Sequence, residues 1–439
     1  MSNFLSFNEE SDFNMIAGSF KTHKHHVYNI GKVDVLKSAV FYGANGSGKS
    51  NLMKAINFLK ETVRYGGIDQ SVDDKKFKLN IDNAEKPISF EIEFSIEKKI
   101  YSYGISLNHE TITEEWLYES GITVDDKLIF ERKTSNSGKI SLKFADKYVR
   151  TQKDEMLIEL LQENLLQKNK LLLGLNDYLK IDEVKSVKNW FDSKLILIFP
   201  ETHFDGILPL LLASDQLKLH YDNFLQSFDT GISKLGTAVT DFEKYEFESN
   251  EKMTRHEIET HMKTAPFMLN NRTNSVILRE NGKLVVKRAI SFHKDNTGKE
   301  TPFMISEESD GTKRLIDFIP AFNNLLQQDY TYLIDEIDRS LHPSLLCAMI
   351  SKVMADNRTK GQLIFTSHES NLLDLEIFRQ DEIWFVEKDK KLSDTKMYSL
   401  SEFKPRYDLD IRKGYLKGRF GAIPFLAKLN DLNWDNYGA

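Results

Sequence analysis

The spacing of apolar residues changes several times along the chain, and each change predicts a different element. The run Ser38–Tyr42 is small and apolar throughout, which is typical of a buried strand. Glycines follow, and apolar residues then recur every three or four positions, as on one face of a helix: Leu52, Ala55, Ile56 and Leu59. The order strand, glycine-rich loop, helix is therefore predicted for residues 38–60.

A period of two replaces this pattern between residues 87 and 105. Phe90, Ile92 and Phe94 alternate with polar residues, and a second alternating run follows a charged turn at 97–99. This pattern predicts an antiparallel hairpin with one polar face. Further short strands are predicted near 112–118, 128–132 and 139–144, which completes an antiparallel β lobe.

Leucine-rich segments without a sustained heptad repeat predict a mainly helical insertion at residues 151–275, rather than a coiled-coil arm. Strands return from Ser275 to Phe292, where Asn281-Gly282 is a tight-turn sequence. The predicted domains are residues 1–150 as the first half of a core, 151–275 as the insertion, and 276–439 as the second half of the core.

The glycine-rich loop matches the phosphate-binding pattern G-x-x-x-x-G-K-[ST]. Its glycines let backbone amides surround an anion at the start of the following helix. Lys49 is expected to reach the β- and γ-phosphates of ATP, and the Ser50 hydroxyl is expected to bind Mg²⁺. The residues predicted to contact the nucleotide here are Gly43, Ala44, Asn45, Gly46, Ser47, Gly48, Lys49, Ser50 and Asn51.

Two carboxylates follow a second apolar strand, Thr331–Ile334. Asp335 is placed to hold Mg²⁺, directly or through water, and Glu336 is placed to orient or deprotonate the attacking water. An acidic strand end is common by chance, but the phosphate loop in the same chain favours the catalytic interpretation.

Two further segments extend the predicted site. His368 follows a third apolar strand, Gln362–Thr366, and is predicted to hydrogen-bond the γ-phosphate rather than to serve the structure alone. Residues 309–314 combine hydroxyl side chains and a glycine at the start of a helical pattern. That segment is interpreted either as an anion site or as an ordinary capped helix.

The order of these segments resembles the ABC-type ATPase heads of SMC, RecF and OLD proteins. The resemblance implies an α/β fold: a P-loop ATPase head with a mixed sheet, flanking helices and an antiparallel β lobe. Ser309 and Gly311 match the family's signature motif, although Asp310 and Thr312 depart from it, and Asp338 matches the D-loop. No convincing Q-loop can be placed. The implied assembly is a homodimer or higher homo-oligomer in which ATP is sandwiched between heads.

Four segments are closer to one branch, the AAA15/AAA21 group of bacterial anti-phage defence ATPases: residues 41–52, 114–118, 309–312 and 414–424. That group includes the RloA and AbiLi abortive-infection proteins and the PARIS (AriA) and Septu (PtuA) ATPases. The resemblance implies an ATPase that senses a phage-derived trigger or acts as a scaffold. It would control a separately encoded nuclease of TOPRIM or HNH type, since too few residues follow His368 for a nuclease domain.

Composition narrows the classes of protein. The net charge of −7 argues against a nucleic-acid coat protein, so any DNA contact is expected to be local. The basic residues of 404–419 are interpreted as a solvated face in preference to a surface for nucleic acid or an acidic partner. The single cysteine, Cys347, cannot build a disulfide framework, and no apolar run is long enough to cross a membrane. A cytoplasmic protein is therefore expected.

Other interpretations stay open. A RecF- or SMC-like DNA repair ATPase would use the same ATP chemistry but act directly on DNA. A scaffold that binds ATP with little turnover and a transporter subunit are further alternatives. The histidines at 23, 25 and 26 are interpreted as a solvated loop near the nucleotide in preference to a zinc site, which lacks a fourth ligand and good spacing.

Overall fold

The structure is a computed structural model that describes residues 1–121, 125–202, 211, 215–246, 254–263, 267–270, 275–407 and 409–423. The strands are β1 (Val27–Ile30), β2 (Val33–Leu36), β3 (Ser38–Tyr42), β4 (Ile88–Ile96), β5 (Lys99–Asn108), β6 (Thr111–Glu119), β7 (Lys127–Thr134), β8 (Ile140–Phe144), β9 (Leu195–Ile198), β10 (Ile232–Asp241), β11 (Phe267–Asn270), β12 (Ser275–Glu280), β13 (Lys283–Lys294), β14 (Glu300–Met304), β15 (Thr331–Ile334), β16 (Gln362–Thr366), β17 (Ile383–Lys388) and β18 (Thr395–Ser399).

The α-helices are α1 (Lys49–Arg64), α2 (Gln152–Leu160), α3 (Asn176–Leu179), α4 (Asp182–Asn189), α5 (Asp215–Ser227), α6 (Arg255–His261), α7 (Asp310–Gln327), α8 (Pro343–Ala355) and α9 (Ile411–Leu416). The chain divides into two compact units. The first comprises Met1–Phe199, Gln327–Ile337 and Ile350–Ala439, and the second comprises Pro200–Leu326 and Asp338–Met349. Within the described residues, no helix is both long and apolar enough to cross a membrane.

A six-stranded sheet forms the centre of the first unit, in the order β18-β17-β3-β16-β15-β9. The pairs from β17 to β9 are all parallel, and only β18 at one edge runs antiparallel. Strands of a parallel sheet are covered on both faces, which explains why β3 is apolar and buried at every position. The sequence therefore predicted β3, β15 and β16 correctly.

A second sheet in this unit is antiparallel and follows the order β4-β5-β6-β7-β8, as the alternating pattern predicted. Its first turn places Glu97 and Lys98 at positive φ, 49° and 68°, the left-handed region that a two-residue hairpin turn requires. Buried residues of β4 and β5 share one hydrophobic core with the apolar face of α1, including Leu52 and Leu59. This core fixes α1 and the loop before it.

The second unit contains an antiparallel sheet, β10-β13-β12-β11, with β14 paired to β13. The mainly helical prediction for 151–275 holds for α2 to α6 but is wrong for β9, β10 and β11. The preceding leucine-rich helix ends at Ser227, Gly231 at φ 78° lies just before β10, and nine residues of β10, several of them β-branched, pair with β13. The sequence did not reveal β10 for two reasons. The leucine spacing before it is helical, and β10 itself lacks a regular alternation of buried and exposed positions. Parts of the predicted insertion (203–210, 212–214, 247–253, 264–266 and 271–274) lie outside the described residues, as does position 424.

Candidate nucleotide-binding site

Three of the predicted site segments meet at one edge of the central sheet. Strand β16 lies between β3 and β15, and all three run parallel. In the register, Thr366 is opposite Phe41, and Phe365 is opposite Ile334. The carboxyl ends of these strands therefore bring the phosphate loop, the acidic pair and His368 to the same edge, which is where α/β sheets bind ligands.

The phosphate loop is shaped by close backbone contacts that only glycine allows. A Cβ on Gly43 would lie 2.2 Å from the Val386 carbonyl oxygen and 2.6 Å from Ser47 Oγ. Gly48 has φ 116°, and a Cβ there would lie 2.2 Å from Thr395 Oγ1. Ala44, Asn45 and Gly46 form the outer part of the loop, and Gly46 is at φ 75°. The glycine positions of the motif thus have a local physical reason.

Lys49 begins α1 and its side chain turns back over the loop. Its Nζ donates to the carbonyl oxygens of Gly43 at 2.7 Å and Ala44 at 3.2 Å, and the side chain is buried. The first amides of α1, including that of Ser50, belong to a helix N-terminus, where backbone N–H groups and the helix dipole favour anions. The Lys49 ammonium group and the first backbone N–H groups of α1 therefore both lie next to the phosphate loop.

A set of hydroxyl contacts holds the loop from outside the motif, and sequence reasoning missed it. The Thr395 hydroxyl lies 2.9 Å from the Ser47 carbonyl oxygen and 2.7 Å from Ser6 Oγ. The Asn51 side-chain amide donates to Ser6 Oγ at 2.8 Å, so the Asn51 side chain, predicted to contact ATP, is used to hold the N-terminal segment. A serine at position 6 and a threonine at 395 carry no sequence signal that marks them as neighbours.

The acidic pair is held by Thr366, which sequence reasoning also missed. The Thr366 hydroxyl donates to Asp335 Oδ1 at 2.6 Å and accepts from the Glu336 backbone N–H at 2.7 Å. Glu336 is at φ 49°, the left-handed region that a non-glycine residue enters only at a cost of roughly 1–2 kcal/mol. Asp335 is buried, and Ile337 N–H donates to the Thr366 carbonyl oxygen. The backbone is therefore bent at Glu336 and fixed on both sides.

His368 follows directly after this anchor. Ser367 is fully buried, and its N–H donates to the Phe41 carbonyl oxygen at 3.1 Å, just before the phosphate loop. His368 itself is exposed at the sheet edge. His368 therefore follows the strand that lies between β3 and β15, and its contact with the γ-phosphate stays a prediction.

Ser309, Gly311 and Asp338 lie in the second unit. Ser309 Oγ accepts from the Thr312 N–H at 3.1 Å and caps α7, which agrees with the capped-helix interpretation. A Cβ on Gly311 would lie 2.7 Å from the Ser340 carbonyl oxygen. The segments around Gly311 and Ser340 are therefore in direct contact, and glycine is needed at 311 for that contact.

A buried carboxyl lies in the segment 114–118, apart from the nucleotide site. Glu115 accepts from the N–H groups of Leu172 at 2.6 Å and Leu173 at 2.9 Å, and from the Tyr103 hydroxyl at 3.1 Å. Burial raises the pKa of Glu115, and the charge of Arg132 opposes that rise. This cluster joins β6 to the chain near 172, so its role is structural.

The residues at the sheet edge fit Mg²⁺ with ATP. Ser47 Oγ is buried and has no hydrogen-bond partner among the described residues, so the loop keeps an unused polar atom of the kind a phosphate would bind. The predicted magnesium ligands, Ser50 and Asp335, offer the hydroxyl and carboxylate oxygens that this cation prefers. Thr366 occupies one Asp335 oxygen and leaves the other for the metal or its water.

A parallel sheet with a G-x-x-x-x-G-K-S loop between β3 and α1, and an acidic pair two strands away, defines a P-loop nucleotide-binding protein. The chain belongs to the AAA21 family, whose model matches residues 38–374 and is described as "AAA domain, putative AbiEii toxin, Type IV TA system". No curated protein matches the chain.

Solved structures similar to the chain include three SMC head domains. One is an SmcHead bound to the C-winged helix domain of ScpA (14% identity, 92% of this chain and 98% of that chain, TM-score 0.36). Another is the SMC head of Thermotoga maritima (12%, 91% and 96%, TM-score 0.33). A third is an Smc head with an extended coiled coil bound to the ScpA C-terminal domain from Pyrococcus furiosus (13%, 92% and 95%, TM-score 0.35). These superpositions are loose, and the fold class rests on the strand order and the family.

Proposed function

We propose that this protein binds Mg-ATP and hydrolyses it. The observation that carries the proposal is the shared edge of β3, β16 and β15, where Thr366 fixes both Asp335 and the Glu336 backbone. Lys49 and the loop amides hold the phosphates, while Ser50 and Asp335 hold the magnesium ion, which screens phosphate charge when bound. Glu336 orients the attacking water and takes its proton. His368 donates to the γ-phosphate.

The test separates nucleotide binding from turnover. Lys49→Ala is expected to lose ATP binding, measured with a fluorescent ATP analogue, because it removes the charge at the loop. Glu336→Gln is expected to keep binding but to lose multiple-turnover phosphate release. Glu376→Gln, a change at an exposed carboxylate, serves as the matched control and leaves both unchanged. Unaltered turnover in Glu336→Gln would refute the catalytic assignment.

We further propose that two heads close around ATP, with Ser309, Gly311 and Asp338 of one copy completing the site of another. The direct contact between Gly311 and Ser340 supports this, since it joins the two segments that would face the partner. Glu336→Gln with ATP and Mg²⁺ is expected to double in mass by light scattering. The added change Ser309→Arg should prevent that increase while ATP binding persists.

The biological role that we propose is anti-phage defence, in which the ATPase acts in the cytoplasm as sensor or scaffold for a separate nuclease of TOPRIM or HNH type. The family description, which names a toxin of a toxin–antitoxin system, supports a role in such systems. Phage challenge of cells carrying this gene with its genomic neighbour tests it. Protection that requires both genes and Glu336 would support the proposal, and equal plaque counts with and without them would refute it.

A second candidate is a DNA repair ATPase that acts on DNA directly. One observation favours it: Arg412, Lys413 and Lys417, with a single acidic residue, Asp410, line a shallow surface cavity at α9. Such a basic surface can contact phosphates. Duplex binding by the isolated protein that weakens steeply with salt, and that is lost in Lys413→Glu, would favour this candidate over the defence role.

A further inference from the structure

Three histidines cluster at the edge of the central sheet opposite the phosphate loop. His25 and His26 lie in a short 3-10 helix, Lys24–His26, just before β1, and His23 directly precedes that helix. Each offers one ring nitrogen, and these nitrogens lie within 4.8 Å of one another, the only such group among the described residues. The predicted position near the nucleotide is wrong, because the cluster contacts the chain before β17 and the start of β3.

Two of the rings are oriented by acceptors on their outer side. His23 Nε2 lies 2.8 Å from the Leu375 carbonyl oxygen, and His26 Nδ1 lies 3.0 and 3.1 Å from the two oxygens of Glu382. A carbonyl and a carboxylate only accept hydrogen bonds, so each of these ring nitrogens carries a proton. In the neutral rings the lone pairs are therefore on His23 Nδ1 and His26 Nε2.

The side chain of Glu382, one of these acceptors, is itself held in place. Glu382 is fully buried and His26 is 2% exposed. Glu382 also accepts from Ser38 Oγ at 2.6 Å and from the Arg379 N–H at 2.7 Å. A histidine that donates one N–H to a held carboxylate or carbonyl keeps its other ring nitrogen available as a ligand, as metal-ligating histidines do. A histidine that only fills a core needs no second and third imidazole beside it.

The remaining ring, that of His25, has no hydrogen bond to a described residue that holds it in place. His25 is half-buried, and its contacts with described residues are ring contacts with His23 and His26, at centroid distances of 5.8 and 4.5 Å. Tetrahedral coordination at about 2.0–2.1 Å brings ligand nitrogens to roughly 3.4 Å from one another. The present spread therefore closes by side-chain rotations on the order of 1 Å. Glu382 supplies a negative charge beside His26, and the positive charge of Lys37 acts on His25.

We propose that His23, His25 and His26 bind a divalent transition-metal ion of the zinc type, with a fourth position open to water. The site is separate from the magnesium site, since β3 spans about 13 Å between Ser38 and Tyr42 at ~3.3 Å per residue. Bound metal ties the N-terminal segment to the sheet through His26 and Glu382. The metal site does not depend on ATP binding or on the proposed function.

The test uses the full chain without an affinity tag, because a histidine tag would bind the same ions. After chelator treatment and dialysis, the protein is titrated with Zn²⁺ by calorimetry and with Co²⁺ by its visible absorption. One equivalent is expected to bind, with a rise in thermal midpoint. His25→Gln is expected to lose both effects and still fold, because His25 makes no hydrogen bond to a described residue. His256→Gln, at an exposed histidine outside the cluster, is the matched control.

A second variant tests the outer shell. Glu382→Gln keeps all three ligands, and it is expected to weaken metal affinity about 10- to 100-fold, as loss of such partners does. If Glu382→Gln does not fold, the comparison of His25→Gln with the wild type decides the proposal. Leu375→Val then serves as the folding control, because it keeps the backbone carbonyl oxygen that His23 contacts. Equal Zn²⁺ stoichiometry in wild type and His25→Gln, or no saturable binding in the wild type, would overturn the proposal.

Discussion

The Thr366 hydroxyl is a single group on which both predicted carboxylate positions depend, so Thr366→Val tests the site most directly. Valine has nearly the same shape and keeps the buried strand packed. It removes a hydrogen bond to a carboxylate, in the range of about 1.5–3 kcal/mol, and leaves the Glu336 N–H without its acceptor at a further ~1–3 kcal/mol. Part of that loss appears in stability, and part is relieved when Glu336 leaves its left-handed conformation.

Once the Glu336 backbone relaxes, its carboxylate no longer points at the water position. A loss of about 1.4–2.8 kcal/mol in transition-state stabilisation corresponds to a roughly 10- to 100-fold lower kcat. The Kd for ATP is expected to stay within about threefold, because Lys49 and the loop amides are untouched. Multiple-turnover phosphate release gives kcat, and a fluorescent ATP analogue gives the Kd.

Two variants make this prediction specific. Thr366→Ser keeps the hydroxyl and is expected to keep most of the activity. Thr359→Val removes another buried threonine hydroxyl, which donates to the Val353 carbonyl oxygen far from the site, so it should lower stability in urea without lowering kcat. If Thr366→Val turned over within twofold of the wild type, while losing as much stability as Thr359→Val, the positioning argument would be refuted.

Three other predictions follow from particular contacts. Gly48→Ala places a Cβ against the Thr395 hydroxyl at a φ that alanine avoids, which adds a clash to a backbone strain of ~1–2 kcal/mol. The affinity for ATP, measured in a nucleotide titration, should therefore fall more than 10-fold. Gly311→Ala pushes on the Ser340 carbonyl oxygen, and it should reduce ATP-dependent dimerisation in light scattering while monomer ATP binding persists. Burial raises the pKa of Glu115 in the folded state above its usual value of 4.5, so just above pH 4.5 the folded protein binds more protons than the unfolded chain. The free energy of unfolding therefore falls as pH rises above 4.5, by up to about 1.4 kcal/mol per pH unit. Urea unfolding of wild type and Glu115→Gln across that window should give a pH-dependent difference, and a flat difference would contradict the assignment.

Much of the site was predictable because its residues belong to short contiguous segments with recognisable sequence patterns. The phosphate loop is contiguous, and the strands beside it are buried on both faces, so short apolar runs marked β3, β15 and β16. The presence of the phosphate loop in the same chain then favoured a catalytic interpretation of Asp335. The family match later agreed with the class of protein that those segments indicated.

What could not be predicted depends on contacts between distant positions. Thr366 looks like any strand residue, and only the pairing with β15 shows that its hydroxyl meets Asp335. The histidines at 23–26 were misplaced for a similar reason, because their neighbour Glu382 lies more than 350 positions away. β10 was missed since a helix-like leucine pattern ran into a strand whose two faces are both partly buried.

The contact between Thr395 and the phosphate loop has a consequence for how the protein is made. Thr395 follows Ser47 by 348 positions, and the same hydroxyl reaches Ser6. At synthesis rates of about 5–20 residues per second, roughly 17–70 seconds separate the loop from the strand that braces it. A nascent chain therefore carries a phosphate loop without its brace for most of its synthesis. If the protein binds ATP as proposed, full nucleotide affinity is expected only after β18 has left the ribosome, so incomplete chains should compete poorly for ATP.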